Sequence, residues 1–403
     1  MAVFEYQAKS ISGDLIKDRI DAVDKDTVKA TLIERGYYPV YIKNYKKGIN
    51  IDLADLTKVS TKDIAIFCRQ FSFVISSGIP ILRAIEISKG QCDNKKLKGI
   101  LHQVFDDVQI GRSFSEAMGK HKDIPRMLVH MIEAGEASGT LDTIMVRMAD
   151  FYDKEYRQRQ KIKQALTYPA FICVFAVIVV TALVVGVIPK ILGNLLEAGG
   201  KEVPLPTQMI MGLSKFLVNY GVFLLIGIVS LVVGIKFYVK SSKEAQEAID
   251  RMKISMPLFG KVNRKIVTSR FARTFSTLMG SGVSIIDSIQ IAANVVNNAV
   301  INKVLVSSMD SIKKGESLGD TLEKKRTFPL MLTQMIKIGE ESGTLDTILE
   351  KTAEFYDGEV ETATAQLTTM IEPIIIIALA GVVGFIILAV ILPIFGMSDA
   401  MGS

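Results

Sequence analysis

Apolar residues are distributed along this chain in two patterns. Three runs are apolar on every face: 169–188, where Thr181 is the only clearly polar residue; 216–235, with Asn219 near its start; and 374–395, which carries no charge. A helix needs ~20 apolar residues to cross a bilayer, and each run reaches that length. A buried helix of a soluble protein would show a polar stripe, so the pattern predicts three membrane spans. Elsewhere the apolar positions recur at helical spacing. Leu141, Ile144, Met145, Met148, Phe151 and Tyr152 fall on one helix face.

Stop and start signals divide the stretch before the first span into six helices. Ser60 is placed to cap one that ends near Gly78, and Pro80 suits the first turn of the next, which ends near Gly90. Asp93 opens a third, ending by Gly111, and Ser113-Phe-Ser-Glu116 has the spacing of a capping box. Pro125 opens the fifth. The sixth begins near Thr140, and its polar extension through Arg157 and Lys163 leads toward the span. Residues 1–50 read differently. Phe4, Tyr6 and Ala8 alternate with polar positions as a half-buried strand does, and Gly13 marks a turn. Ile16, Ile20 and Ala22 mark a second strand, 26–35 a short helix stopped by Gly36, and Tyr38, Val40 and Ile42 a third strand. A small N-terminal β-β-α-β element is expected, with 44–57 a linker.

The chain also repeats. When Gly78 is laid on Gly282, a shift of 204 residues, the sequence matches itself without a gap. Arg69-Gln-Phe-Ser72 meets Arg273-Thr-Phe-Ser276, Gly111 and Pro125 meet Gly315 and Pro329, and Phe151-Tyr-Asp153 meets Phe355-Tyr-Asp357. GEASGTLDTI at 135–144 meets GEESGTLDTI at 339–348, with nine of ten positions identical. Pro169 and Pro189 around the first span meet Pro373 and Pro393 around the third. A period this long is a domain duplication, not a solenoid. The expected organisation is 1–50 a small N-terminal domain, 58–166 a first helical bundle, 168–189 a span, 190–215 an external loop, 216–236 a span, 262–372 a second bundle and 373–395 a span. The fold class is mainly α: an integral membrane protein with two homologous cytoplasmic bundles of about six helices each.

Charge gives the orientation. Lys154, Arg157, Arg159, Lys161 and Lys163 precede the first span, and Lys236, Lys240, Lys243, Arg251, Lys253, Lys261, Arg264 and Lys265 follow the second. Positive flanks stay in the cytoplasm, which puts the intervening loop outside. The third span has acidic residues before it and no Lys or Arg after it, so the rule is silent there. The repeat supplies the answer. Two like domains on one side need spans running the same way, the second span returns the chain, and the C-terminus is expected outside. The first twenty residues hold no apolar run behind positive charge, so no signal peptide is expected and the N-terminus starts in the cytoplasm.

The search for chemistry returns little. There are 48 Lys and Arg against 42 Asp and Glu, a net +6, too mild for a nucleic-acid surface. Cys68, Cys92 and Cys173 form no paired framework, and His102, His121 and His130 show no metal-ligand spacing. No phosphate-binding glycine loop, nucleophile elbow or zinc-protease motif is present. The spans carry no ionisable residue, which weighs against an ion-coupled transporter. No cofactor, catalytic residue or metal site is expected.

The strongest motif is GExSGTLD, at 135–142 and 339–346. It reads as a tight helix–helix turn, with glycine supplying positive φ and the hydroxyls and carboxylates satisfying backbone groups. It also reads as a contact surface on which Glu136, Asp142, Glu340 and Asp346 are exposed to a partner or another subunit. A metal held by Glu136 and Asp142 is a weaker third option. The basic run 154–163 likewise suits either anionic headgroups or an acidic partner surface. The two copies differ in sign there: Arg157 corresponds to Glu361 and Arg159 to Ala363. Arg157 and Arg159 are therefore candidate interface residues, and the copies are expected to meet different partners or each other.

The duplicated bundles, the two GExSGTL motifs, the proline-bracketed spans and the N-terminal Tyr6, Ala8 and Gly13 resemble the inner-membrane platform proteins of type IV pili and type II secretion, the PilC/GspF family. The resemblance covers nearly the whole chain. It implies a non-enzymatic scaffold that couples a cytoplasmic hexameric ATPase to pilin or pseudopilin subunits. It also implies other inner-membrane assembly proteins as partners and a homo-oligomer in the bacterial inner membrane. Some relatives are associated with calcium at the first domain, but no ligand set stands out here. The alternative is an oligomeric transporter or channel subunit.

Overall fold

The structure is a computed structural model and describes residues 2–10, 15–22, 25–34, 36–44, 58–191, 204–257 and 259–401. The expected Gly13 turn, nearly all of the 44–57 linker, residues 192–203 of the external loop and residues 402–403 lie outside these residues. The chain divides into two units, Met1–Lys58 and Val59–Ser403.

The first unit holds strands β1 (Ala2–Ser10), β2 (Leu15–Ala22) and β3 (Tyr37–Asn44) and helix α1 (Lys25–Glu34). The sheet is antiparallel in the order β2-β1-β3. Tyr6, Ala8, Val28 and Leu32 form its small core. Tyr38 and Val40, expected on a half-buried face, are 66% and 59% exposed. The reason is a bulge opposite Gln7 and Ala8, which takes Val40 out of register, and a single helix that supplies one small core.

In the second unit the first bundle comprises α2 (Thr61–Ser76), α3 (Ile81–Gln91), α4 (Lys95–Gln109), α5 (Phe114–Gly119), α6 (Arg126–Ser138) and α7 (Leu141–Ala182). Ser60 and Asp63 make a full capping box on α2. On α4 the cap is Asn94, not Asp93, accepting from the Lys96 and Leu97 amides. Aromatic stacking of Phe71 on Phe114, centroids 5.0 Å apart, lies in the core. The second bundle repeats the order with α10 (Phe259–Met279), α11 (Ile285–Val295), α12 (Ala299–Lys313), α13 (Leu318–Lys324), α14 (Leu330–Ser342) and α15 (Leu345–Met401). Between the bundles lie α8 (Leu205–Ser241) and α9 (Lys243–Ser255). The α9 helix docks on the second bundle through buried Asp250, whose carboxylate accepts from the Ala299 amide at 2.9 Å.

Three helices are long and apolar enough to cross a membrane: Leu141–Ile191, Leu205–Val239 and Leu345–Pro393. The first and third are single helices that begin as the last helix of a bundle and continue into the span. A π-helical turn, Leu183–Val187, interrupts only the far end of the first. The second helix starts at Leu205, so residues 205–215, expected in a loop, are helical. Its first turns bury Thr207 and Ile210 against Ala389 and the end of the first span, and that packing extends the helix beyond its most apolar stretch.

The bracketing prolines have a structural consequence. A proline inside a helix leaves the carbonyl four residues back without its amide, a costly vacancy in lipid. For Pro169 that carbonyl is Ala165, which the Thr368 hydroxyl of α15 approaches at 3.3 Å while sharing its one proton with the Thr364 carbonyl at 3.1 Å. For Pro393 it is Ala389, and the buried Thr207 hydroxyl of α8 donates to it at 2.6 Å. Two prolines thus become two points at which neighbouring helices are tied together.

Candidate functional site

The GExSGTLD turn ends α6 and starts α7. Gly139 has φ +71° and Gly343 φ +68°, the left-handed conformation that closes a helix and suits glycine. Gly135 and Gly339 face the next helix so closely that a Cβ would lie 3.1 Å from Leu141 Cα in the first copy and 2.8 Å from Leu345 Cα in the second. Ser138 and Ser342 donate back to the Ala134 and Ile338 carbonyls, each at 2.7 Å.

Glu136 and Glu340 are half-buried, not exposed as expected. The Glu136 carboxylate accepts from the Phe114 and Ser115 amides at 2.6 and 3.0 Å, at the start of α5. Glu340 accepts from the Leu318 and Gly319 amides at 2.7 and 3.1 Å and from the Ser317 hydroxyl at 2.5 Å. Each carboxylate closes the N-terminus of a helix more than twenty residues away, where the helix dipole also favours negative charge. At Ser113 only half of the expected capping box forms: its hydroxyl accepts from the Glu116 amide, while Glu136 takes the first two amides. Asp142 and Asp346 stand in the first turns of α7 and α15. Among the described residues no three His, Cys, Asp or Glu side chains gather as a metal site would.

The second feature is the joint between the bundles. The α7 and α15 helices run side by side in the same direction, and Leu278 and Ile291 of the second repeat join the first core. Charges of opposite sign meet across the joint. Lys161 reaches Glu361 at 2.6 Å, and Lys154 reaches Glu354 at 3.7 Å. The acidic surface facing the basic run is therefore the other copy within the same chain. Arg157 and Arg159 bond within α7, to Asp153 at 3.0 Å and Glu155 at 2.6 Å, and keep 73% and 57% of their side chains exposed.

Beneath these pairs is a part-buried polar network that the sequence did not reveal. Asp357 is bonded by Arg273 and by the Ser269 hydroxyl, and Gln158 of the first bundle donates to it at 3.0 Å. Glu155 lies 3.8 Å from Arg270 of the second bundle. Burial pulls Arg273 down to about 10, with Glu155 opposing the shift, so it stays charged at neutral pH. The repeat gave one hint. The first-copy counterparts, Arg69 and Asp153, are not paired: Arg69 bonds Asp150 at 2.5 Å, with both side chains more than a third exposed. The paired residues are identical in the two copies, so the available signal was in their neighbours, where Ala65 and Ile66 of the first copy become Ser269 and Arg270 in the second.

Comparison with known proteins agrees with this architecture. A family model described as type II secretion system (T2SS), protein F, matches twice, at residues 67–189 and 271–393. The two matches are offset by the same 204 residues (271 − 67) as the internal repeat. The chain belongs to the type II secretion system protein F family. A model of that family's N-terminal domain matches residues 1–43. The type IV pilus assembly protein PilC of Thermus thermophilus is 38% identical over 399 residues, covering 98% of each chain. PilC of Myxococcus xanthus is 33% identical, covering 99% of this chain and 96% of that one. The type II secretion system protein F of Vibrio cholerae is 30% identical over the full length of both. With three apolar helices and this membership, the chain is an inner-membrane protein of the pilus or type II secretion machinery.

Proposed function

We propose that this chain is a non-enzymatic platform of a type IV filament machine. In this reading it couples a cytoplasmic assembly ATPase to the insertion of pilin or pseudopilin subunits. The observation that carries the reading is the continuity of α7 and α15. A force applied to either bundle reaches its span through an unbroken helix, and the charged joint makes the two bundles move together. The relatives' printed names, for pilus assembly and for type II secretion, support the same setting.

Both bundles are assigned to the cytoplasm, the loop after the first span and the C-terminus to the outside, and the working form to a homo-oligomer. Arg157, Arg159, Asp142 and Asp346 are assigned to partner contact. The parallel course of α7 and α15 supports placing both bundles on one side, and the basic flanks of the first two spans say which side. Two measurements test the reading. Crosslinking in native membranes followed by purification of this chain should recover a hexameric ATPase and a pilin-like subunit; solute flux through the purified chain in liposomes, with neither protein recovered, would replace the platform with a transporter. Single cysteines at 199 and 403 in a cysteine-free background should react with an impermeant reagent from outside, and one at 253 should not. Protection at 403 would reverse the assigned orientation of the third span.

A further inference from the structure

The joint between the bundles is one-sided. Met127 of α6 and Phe151 of α7 form one surface of it and are 1% and 4% exposed. Leu278 of α10 and Ile291 of α11 form the other, and all four side chains belong to one hydrophobic cluster. At its edge Arg147 donates to the Ser281 hydroxyl at 3.3 Å. The two surfaces come from different parts of the repeat, so the contact is head-to-tail and each repeat has one of its two surfaces left over. In the second repeat Met331 and Phe355, the counterparts of Met127 and Phe151, are 38% and 47% exposed. In the first repeat Val74 and Ile87, the counterparts of Leu278 and Ile291, are only half-buried.

The open surfaces keep the residues that make the closed joint. Phe151 recurs as Phe355, Met127 as Met331, Ile291 as Ile87 and Ser281 as Ser77. Two further exchanges are conservative: Leu278 corresponds to Val74 and Arg147 to Lys351. The serine hydroxyls are also oriented alike. Ser281 donates to the Thr277 carbonyl at 2.7 Å and Ser77 to the Phe73 carbonyl at 2.8 Å, which leaves each oxygen able to accept from a cation across the contact.

Where the matched positions differ, the open surfaces are the more apolar. Arg126 corresponds to Leu330, 62% exposed. Thr277, which lines the joint beside Phe151, corresponds to Phe73, 64% exposed. Arg270, which faces Glu155 across the joint, corresponds to exposed Ile66. Apolar side chains gathered on a surface mark a contact with another molecule. The charge pairing does not recur, because Lys161 and Glu361 correspond to Ala365 and Arg157. A contact made through the open surfaces is therefore apolar and weaker than the internal one.

We infer that the open α14/α15 surface of one chain receives the open α2/α3 surface of a second copy, repeating the internal joint between molecules. This rests on the homo-oligomer assigned above and names the surfaces that build it. The pairs Lys154–Glu354 and Lys161–Glu361 show α7 and α15 running in the same direction. Repeating their relation from chain to chain keeps every span in one bilayer, and a head-to-tail contact held in one plane generates rings, not filaments.

The test uses the full chain in native membranes, with Cys68, Cys92 and Cys173 replaced. Tagged chains carrying Phe73→Cys are produced together with untagged chains carrying Phe355→Cys, and a short bis-maleimide should join one of each into a dimer. Neither variant alone should dimerise, because a head-to-tail contact puts position 73 beside 355 and not beside itself. In detergent, Phe73→Ser and Phe355→Ser should each weaken self-association about tenfold. Both side chains are exposed, so the unfolding midpoints should stay close to that of the unaltered chain. A crosslinked dimer from either cysteine variant alone would overturn the head-to-tail contact, as would capture of a different protein at position 355 with no 73–355 dimer. Self-association that both serine variants leave unchanged would overturn it too, while leaving a homo-oligomer in place. An unaltered chain that stays monomeric at every concentration would overturn the homo-oligomer and this contact together, without touching recovery of the ATPase.

Discussion

Replacing Arg273 with alanine should destabilise the chain by about 2–3 kcal/mol, the loss of a charge-assisted bond at a pair in which Arg273 is buried and Asp357 keeps 29% of its side chain exposed. Its side chain is 9% exposed and bonds Asp357. Without it, Asp357 retains the neutral donors Ser269 and Gln158, and its partly exposed charge is left without a cation at the joint. The same substitution at Arg69, which occupies the matching position of the first repeat, should cost under ~1 kcal/mol. Arg69 and Asp150 are 37% and 55% exposed, so water replaces the lost partner. Denaturant unfolding of both variants in micelles checks this. Equal losses would mean that burial does not set the strength of the pair. Because Gln158 comes from the first bundle, Arg273→Ala should also loosen the joint and increase protease access to α7.

Glu340→Ala should cost roughly 3 kcal/mol, and Glu136→Ala somewhat less, since each leaves the start of a short helix without its acceptor. Glu340 accepts three hydrogen bonds and Glu136 two. Leu318 and Phe114, whose amides are freed, are almost fully buried, so water does not fully replace the lost acceptor. Glutamine keeps one acceptor oxygen and should fall between glutamate and alanine. A carboxylate whose role is partner contact behaves differently: the alanine variant keeps its stability and loses assembly. Measuring unfolding of the purified chain alongside filament output separates the two, and unchanged stability in both alanine variants would return these residues to the interface.

The three spans, the duplication and most helix starts were legible in the sequence because each depends on residues near one another in the chain. A span needs only a run of apolar side chains. The Ser60–Asp63 box and the Gly139 turn are local devices within a few residues. Fold-wide repetition at 204 residues made them readable twice. Even the opposite charges of the two final helices were visible, although that Lys161 meets Glu361 was not.

Tertiary structure alone decided what the polar residues do. Glu136 looked exposed because its neighbours are turn residues, yet its acceptor role depends on α5, about twenty positions earlier. Thr207 sat in what read as a loop. Its hydrogen bond to Ala389, 182 residues away, explains both its burial and the early start of α8. Asp357 and Arg273 are 84 residues apart, and Gln158 lies 199 from Asp357. Hydrophobic periodicity carries no information about such pairs, because hydrogen bonds and ion pairs are set by where helices cross. Backbone periodicity fixes each helix and its apolar face. The crossing of α7 with α15, which packing selects, decides which polar side chains of the two repeats meet.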